Sequence, residues 1–323
     1  MTELSNKALD LDYEKEADRI CDFIGNTLRT RLKRRGLVIA VSGGIDSTCS
    51  AALAVRALGK NKVFCLRLPE QDSTRETGDR SQILVDHLDV KYETINIAST
   101  LEAIGCYRAR DDAIKRVFPE YSDGWKNKII LKGGLEGQYN HFMLVVQNPA
   151  GELLEKRLPL NEYLTIVAAT NYKQRIRKTI EYFHADRLNY AVVGTPNRLE
   201  YDQGFFVKNG DGSADVKPIA HLYKTQVYAM SRYLGIPEEV CNAVPTTDTY
   251  SLSQGQDEFY FALPYQKMDY ALWAHNHNVP AHGLAKFLGL DDAQAELIYK
   301  DIETKRRTTT YLHEKPCLVE EIW

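Results

Sequence analysis

The stretch Leu37-Val38-Ile39-Ala40-Val41-Ser42-Gly43-Gly44-Ile45-Asp46-Ser47-Thr48 predicts a buried strand that runs into a phosphate-binding turn. The apolar run before Ser42 is typical of a strand in a parallel sheet. Mostly small or apolar residues from Ser47 to Leu58 predict the helix that follows. Gly43 and Gly44 allow backbone N–H groups to approach an anion closely, and the start of a helix adds partial positive charge. The segment therefore predicts an anion site between strand and helix.

The polar residues of this turn indicate which anion it binds. Ser42 and Ser47 supply hydroxyl groups, and the Asp46 carboxylate suits a phosphate that carries Mg²⁺. The pattern Ser-Gly-Gly-x-Asp-Ser resembles the pyrophosphate loop of the ATP pyrophosphatases, which cleave ATP between the α and β phosphates and leave AMP on a substrate. Neither a Walker A motif nor a G-x-G-x-x-G fingerprint is present. The alternative is an ordinary tight turn in an α/β unit.

Composition narrows the class of protein. The chain has 323 residues, enough for one large α/β domain or two modest ones. The net charge of −3 gives no electrostatic case for nucleic acid. No apolar run is long enough to cross a membrane, and Met1–Asp12 does not resemble a secretory signal. Six cysteines without a Cys-x-x-Cys pair predict reduced thiols in a cytoplasmic protein.

Strand and helix patterns alternate through the first hundred residues. Helical spacing covers Tyr13–Arg35 and Thr77–Leu88, and strand patterns cover Val63–Leu68 and Lys91–Ile97. This alternation predicts an α/β fold with a doubly wound, mostly parallel sheet and a ligand site at the strand ends.

The regular pattern breaks between Glu102 and Tyr163, which we interpret as an insertion or subdomain. Within it, His141–Gln147 and Glu152–Leu158 are predicted to pair as a hairpin, and Gly133-Gly134 marks another turn. Beyond it, a helix, a strand and two further helices are predicted at Ile166–Phe183, Tyr190–Gly194, Lys224–Leu234 and Ala285–Tyr299.

Several later segments resemble one pyrophosphatase branch, the ammonia-dependent NAD synthetases. These segments follow the family's order along the chain: Asn171–Arg177, Gly194-Thr195 with Glu200, Gly204–Lys208, Gly210–Asp215, Leu222–Val227, Pro245-Thr246 and Lys305–Arg307. The resemblance implies one synthetase-like domain over residues 1–323, with an adenine nucleotide alpha hydrolase-like fold and an insertion at 102–163.

The resemblance also implies a role for each matching residue. The residues expected to bind ATP are Ser42, Gly43, Gly44, Asp46, Ser47, Thr195, Lys224 and Thr246. Asp46 and Glu200 are expected to bind Mg²⁺, and Asp46 and Lys224 to act in catalysis. The residues expected to bind deamido-NAD are Arg175, Lys208, Asp215 and Lys305. Lysine and arginine suit phosphates, and carboxylates suit a hard cation. Taken singly, each would be an ordinary surface, turn or cap residue.

The implied reaction is ATP-dependent amide synthesis: adenylation of the deamido-NAD carboxylate, then displacement of AMP by ammonia. This chain differs from the family pattern at two positions in segments expected to contact the acceptor substrate. Pro196-Asn197 stands where the family often has Asp-His, and Thr304 where the basic tail motif often has His. A different carboxylate acceptor, or nucleotide binding without turnover, therefore stays open. No stretch before Ser42 is long enough for a glutaminase domain, so we expect the protein to use free ammonia or ammonia from a separate protein. The family resemblance implies a homodimer.

Overall fold

The strand before Ser42 lies at the centre of a parallel sheet, as predicted. The computed structural model describes residues 4–132, 141–243, 250–252, 254–255, 260–261 and 263–322. Strands and helices are numbered in chain order, and the sheet contains β1 (Leu37–Ala40), β2 (Val63–Arg67), β3 (Lys91–Thr94) and β7 (Ala191–Val192). The spatial order is β3-β2-β1-β7, and all pairs are parallel. The strands that follow β1 in sequence, β2 and β3, lie on one side of it, and β7 lies on the other side. This reversal of strand order places a crevice at the carboxyl ends of β1 and β7.

Helices cover both faces of this sheet. Those in the described residues are α1 (Tyr13–Asn26), α2 (Ile45–Leu58), α3 (Arg75–Leu88), α4 (Ala98–Ala103), α5 (Cys106–Val117), α6 (Leu160–Leu188), α7 (Arg198–Gln203), α8 (Lys224–Tyr233), α9 (Glu238–Cys241), α10 (Tyr265–Asn276), α11 (Ala281–Leu288) and α12 (Asp292–His313). A π-helical turn, Thr27–Leu32, extends α1.

Alternate residues of β1 belong to different cores, which is why the sheet needs helices on both sides. Leu37 and Ile39 pack with buried residues of α1, α2 and α8. Val38 faces the opposite way and packs with residues of α4, α5 and α6. The doubly wound arrangement predicted from the sequence is confirmed.

The 102–163 segment contains a second, antiparallel sheet. The predicted hairpin is confirmed as β5 (His141–Gln147) and β6 (Leu153–Arg157). Two further elements of this segment were not predicted from the sequence, namely α5 and the strand β4 (Lys126–Lys132). The predicted Gly133-Gly134 turn lies outside the described residues.

This second sheet has its own hydrophobic core against α5 and α6, which includes Ile114, Phe118, Ile129, Leu144 and Ile166. A separate core is consistent with an insertion, and the interpretation of residues 102–163 as an insertion or subdomain stays a prediction.

The prediction of a single helix over Ala285–Tyr299 was wrong, because two helices lie there. Gly289 adopts φ 69° and ends α11, and Asp291 then caps α12 by accepting a hydrogen bond from the Gln294 N–H at 2.7 Å. The amphipathic spacing on each side hid this break. Among the described residues, no helix combines the length and apolar character that a membrane crossing needs.

Candidate active site

The loop between β1 and α2 has the construction of an anion site. The Ser42 hydroxyl accepts a hydrogen bond from the Gly44 N–H at 3.3 Å, and the Ser47 hydroxyl donates to the Gly44 carbonyl at 3.0 Å. These bonds fold the loop back on itself at the first turn of α2. The backbone donors at the start of α2 face a cleft of about 650 Å³, which Ser42, Gly43, Gly44, Asp46 and Ser47 all line. The structure thus brings together the residues predicted to hold the ATP phosphates.

Gly43 is the position where the loop cannot carry a side chain. Its φ is +81°, and a Cβ atom there would stand 2.5 Å from the Thr77 carbonyl oxygen of α3. Gly44 has an ordinary φ of −81°, and a Cβ atom there would meet only the Ser42 hydroxyl at 3.3 Å. The two glycines therefore differ in how strictly the structure requires them.

We expect Gly43→Ala to lower the free energy of unfolding by about 2 kcal/mol, from left-handed strain and contact with α3. The displaced loop should also lower kcat/KM for ATP by about tenfold or more, since about 1.4 kcal/mol corresponds to a factor of ten. Thermal unfolding and initial-rate kinetics measure both effects. Gly44→Ala is the matched control and should lose much less stability. Equal losses in the two variants would contradict the argument.

The Asp46 carboxylate is held on both of its oxygen atoms. Oδ1 accepts a hydrogen bond from the Asn197 side-chain amide at 3.0 Å, and Oδ2 pairs with the Lys224 ammonium group. The Asp46 side chain is 17% exposed, whereas that of Lys224 is 2% exposed. Burial alone would lower the pKa of Lys224, but attraction to Asp46 and Glu200 outweighs it and raises that pKa. Lys224 is therefore a buried, permanently charged cation that faces the cleft.

Lys224 is fixed in place through the start of α8. Asp269 on α10 accepts hydrogen bonds from the backbone N–H groups of Lys224 and Thr225, at 3.1 and 2.7 Å. Burial raises the pKa of Asp269 to about 7, although both backbone donors oppose the shift. Sequence reasoning did not find this anchor, because its partner is backbone and lies 45 residues away.

Asp46 and Glu200 line the same cleft, and their chemistry fits Mg²⁺. Both are carboxylates, and one or two carboxylates together with substrate phosphates are the usual protein contribution to a Mg²⁺ site. No cluster of three or more His, Cys, Asp or Glu side chains suited to a metal occurs in the part of the chain that the structure describes.

The residues predicted to bind the second substrate are only partly together. Arg175, Lys208 and the ATP candidate Thr195 line the cleft. The Arg175 Nε donates to the Lys208 carbonyl at 3.3 Å, and the Lys208 ammonium donates to the Tyr311 carbonyl at 2.6 Å. These bonds join α6, the loop after α7 and the end of α12 along one wall.

Two other substrate candidates lie outside the lining of the cleft. Asp215 accepts a hydrogen bond from the Val192 N–H at 2.7 Å. Lys305 donates to Asp301 at 2.5 Å and stands 4.8 Å from the ring centre of Tyr260, which lines the cleft. Their roles stay predictions, as does that of Thr246, which lies outside the described residues.

Buried ionisable groups form a part of the cleft that the sequence did not indicate. Glu181 pairs with Lys178 at 2.8 Å, and Asp211 accepts a hydrogen bond from the Val207 N–H at 2.7 Å. Burial raises the pKa of both carboxyl groups. Carboxyl groups with raised pKa values in a cleft are candidates for proton transfer. The Gly-Asp-Gly run around Asp211 was noticed only as part of a motif.

The antiparallel sheet also contributes to the cleft. Phe142 of β5 stacks on Tyr163 of α6 with ring centres 4.2 Å apart, and both rings line the cleft. The inserted segment therefore forms part of the wall of the candidate site.

Comparison with known proteins places these features in a family. A family model described as NAD synthase matches residues 16–117 and 148–310. The chain is 53% identical over 319 residues to the NH(3)-dependent NAD(+) synthetase of Rhizobium meliloti (strain 1021), with 98% of this chain and 95% of that protein covered. It is 50% identical to the corresponding synthetase of Mesorhizobium japonicum, with 97% and 99% covered.

The fold has relatives among solved structures. The NH3-dependent NAD synthetase from Campylobacter jejuni, in complex with the nitrate ion, superposes with a TM-score of 0.62 at 24% identity and covers 96% of this chain and 100% of that one. The NMN synthetase from Francisella tularensis superposes with a TM-score of 0.64 at 20% identity and covers 96% and 99%. At these identities the likeness concerns the fold alone. Residues 118–147, which carry β4 and β5, fall between the two matched ranges of the family model.

Proposed function

This chain belongs to the NAD synthase family, and we propose that the cleft at the carboxyl ends of β1 and β7 is its active site. The activity is that of an NH3-dependent NAD+ synthetase, a ligase that uses ATP to convert deamido-NAD to NAD. One observation supports this location above others. The Ser42–Ser47 loop, Glu200 and the buried Lys224 converge on one cleft, although they come from distant parts of the chain.

We propose that ATP binds with its phosphates at the start of α2. The backbone N–H groups of Gly43 and Gly44 and the hydroxyl of Ser47 donate to phosphate oxygens, and Lys224 neutralises their charge. In the first step a carboxylate oxygen of deamido-NAD forms a bond to the α-phosphorus as the bond from that phosphorus to pyrophosphate breaks. Positioning and charge neutralisation carry this step, which needs no general base. Thr195 and Thr246 complete the proposed ATP contacts.

Asp46 and Glu200 would hold the Mg²⁺ that accompanies ATP. When bound, the cation supplies charge stabilisation for the leaving pyrophosphate. Arg175 and Lys208 line the same cleft, and their charges suit the phosphates of the dinucleotide. Asp215 and Lys305 are proposed to contact the same substrate from positions beside the cleft.

In the second step ammonia attacks the acyl carbon, and AMP leaves with the electron pair of the acyl C–O bond. Ammonium must lose a proton before its nitrogen can attack. We propose Asp211 as the acceptor of that proton, because it lines the cleft and burial raises its pKa above that of an ordinary carboxyl group.

We expect Asp211→Asn to slow the ammonia-dependent step by about a hundredfold near neutral pH, the lower end for loss of a general base. The deficit should shrink as pH rises towards the pKa of ammonium, because free ammonia needs no base. The measurement is kcat/KM for ammonia against pH. Exchange of pyrophosphate into ATP, which precedes this step, should change little. A deficit that stays constant with pH would exclude the role.

The experiment that tests the function is deamido-NAD-dependent exchange of labelled pyrophosphate into ATP, followed by ammonia-dependent release of AMP and NAD. We expect both reactions with ammonium and no glutamine. A panel of other carboxylates covers the alternatives left open by the sequence. If exchange occurs only with another carboxylate, that carboxylate is the acceptor and deamido-NAD is not. If ATP binds but no acceptor supports exchange, the protein does not turn over ATP.

We propose that the protein works as a homodimer that pairs through α6. Four large apolar residues of this helix are exposed, namely Leu160, Leu164, Tyr172 and Phe183, with Leu160 at 70% and Phe183 at 63%. Exposed large apolar residues grouped on one helix are typical of an interaction surface. A partner bound there would adjoin the dinucleotide side of the cleft.

We expect Leu164→Glu to convert the dimer to a monomer, because a charge would be desolvated in the apolar interface. Light scattering at working concentration measures the mass. Phe23→Glu is the matched control, since Phe23 is an exposed aromatic residue on α1 and should leave the mass unchanged. A monomeric mass for the unaltered protein would refute the dimer.

A further inference from the structure

Asn197 makes more contacts than the cap of a short helix requires. It lies between β7 and α7 and is 1% exposed. Its Oδ1 accepts a hydrogen bond from the Glu200 N–H at 3.3 Å, and its own N–H donates to Glu200 Oε2 at 3.3 Å. These two bonds form a capping box at the start of α7. In addition, its side-chain Nδ2 donates to Asp46 Oδ1 at 3.0 Å, across 151 residues of sequence.

The third bond separates two possible roles. Capping uses only the side-chain oxygen, and serine or threonine supplies an equivalent oxygen. The bond to Asp46 uses the amide N–H₂ group, which those residues lack. Asparagine is therefore suited to cap α7 and to donate to Asp46 at the same time. A cap alone does not account for a donor aimed at a carboxylate in the cleft.

The residues that Asn197 joins are the two carboxylates that fit Mg²⁺. Asp46 comes from the loop after β1, and Glu200 comes from α7 after β7. The Asn197 side-chain amide donates to Asp46, its backbone N–H donates to the Glu200 carboxylate, and Lys224 holds the second oxygen of Asp46. An ionised carboxylate has about four acceptor positions, so these bonds restrain Asp46 without exhausting it. Fixing both carboxylates in advance lowers the cost of ordering them when a cation binds.

We infer that Asn197 is a positioning residue that holds Asp46 and Glu200 in register for the Mg²⁺ of the ATP complex. This inference rests on the proposed function for the identity of the nucleotide. It also gives a role to one departure from the family pattern, since the sequence around Asn197 differs from the frequent Asp-His pair. Asn197 acts through the carboxylates and is not itself a ligand.

Two substitutions separate positioning from capping. Asn197→Ser keeps an oxygen able to cap α7 but is too short to donate to Asp46, whereas Asn197→Ala loses both functions. Isothermal titration of Mg²⁺ in the presence of a non-hydrolysable ATP analogue gives a readout that is independent of turnover. We expect both variants to bind Mg²⁺ about tenfold more weakly, as for loss of one hydrogen bond to a charged group. Only the Ala variant should also lose the stability of the cap.

The opposite pattern would overturn the inference. If Asn197 is only a cap, the Ser variant should bind Mg²⁺ like the unaltered protein. Asp291→Ala is the matched control, because Asp291 forms a capping box with Gln294 at the start of α12 and should change stability without changing Mg²⁺ affinity. If the Ser variant fails to fold, Asn197→Thr carries the same test, since threonine also caps and fills more volume.

The proposed function can fail separately from this inference. If the unaltered protein shows no exchange with deamido-NAD but the Ser variant still weakens Mg²⁺ binding, the acceptor is wrong and the positioning role stands. If the unaltered protein binds the nucleotide analogue without any effect of Mg²⁺, the positioning role is refuted.

Discussion

Asp46→Asn is expected to lower kcat by about a thousandfold, because it removes the negative charge that attracts Lys224 and the proposed Mg²⁺. Asparagine preserves the size of the side chain and can still accept a hydrogen bond from Asn197. The loss should therefore come from charge and not from shape. AMP release measured across a Mg²⁺ titration tests this, and an unchanged rate would refute the metal role of Asp46.

The same substitution is also expected to destabilise the fold, which the sequence did not predict. Lys224 is 2% exposed, and the substitution removes the carboxylate that pairs with its ammonium group. Removing one partner of a buried pair costs about 3 kcal/mol. The competing idea that Asp46 is a helix cap is not supported, since Gly44 occupies the N-cap position of α2. A melting temperature that does not fall would contradict the buried pair.

The fold was predictable where periodicity and turn chemistry agree. The strand, turn and helix around Ser42 need no distant information, because apolar run, glycines and helix start are adjacent in sequence. The hairpin of β5 and β6 was found for the same reason, from the turn residues between them. In contrast, β4 was not predicted, although the Gly133-Gly134 turn signal follows it, and α5 lies in a stretch with many charged residues. Both elements depend on tertiary packing against α6.

The candidate site was predictable through motif resemblance and not through local chemistry. Ser42, Glu200 and Lys224 are ordinary residues one at a time, and only their order along the chain indicated a common site. Asn197, Asp211 and Asp269 were missed because their roles depend on contacts that sequence spacing does not reveal. Asn197 reaches Asp46 across 151 residues, and the pKa of Asp211 depends on burial. Asp215 and Lys305 match positions of the family motifs, but neither residue lines the cleft.

Lys224→Met is expected to lower kcat/KM for ATP by about a thousandfold while leaving the fold nearly as stable as before. The ammonium group is a buried cation in the cleft wall, and its loss removes charge stabilisation for the phosphates. Methionine fills a similar volume, and the carboxylate that loses its partner is not fully buried. Asp46 keeps its bond from Asn197 and is 17% exposed, so its charge stays partly solvated.

Stability and activity should therefore separate in a double-mutant cycle. Asp46→Asn is expected to destabilise the fold because it leaves the buried Lys224 charge without its paired carboxylate. Adding Lys224→Met removes that charge and should restore most of the lost stability. Activity should not return in the double variant, because both charges are absent. Denaturant unfolding and ATP kinetics on the four proteins measure the two quantities. If the double variant is less stable than Asp46→Asn alone, Lys224 stabilises the fold through contacts other than its pair with Asp46, and the assignment of its charge to nucleotide binding weakens accordingly.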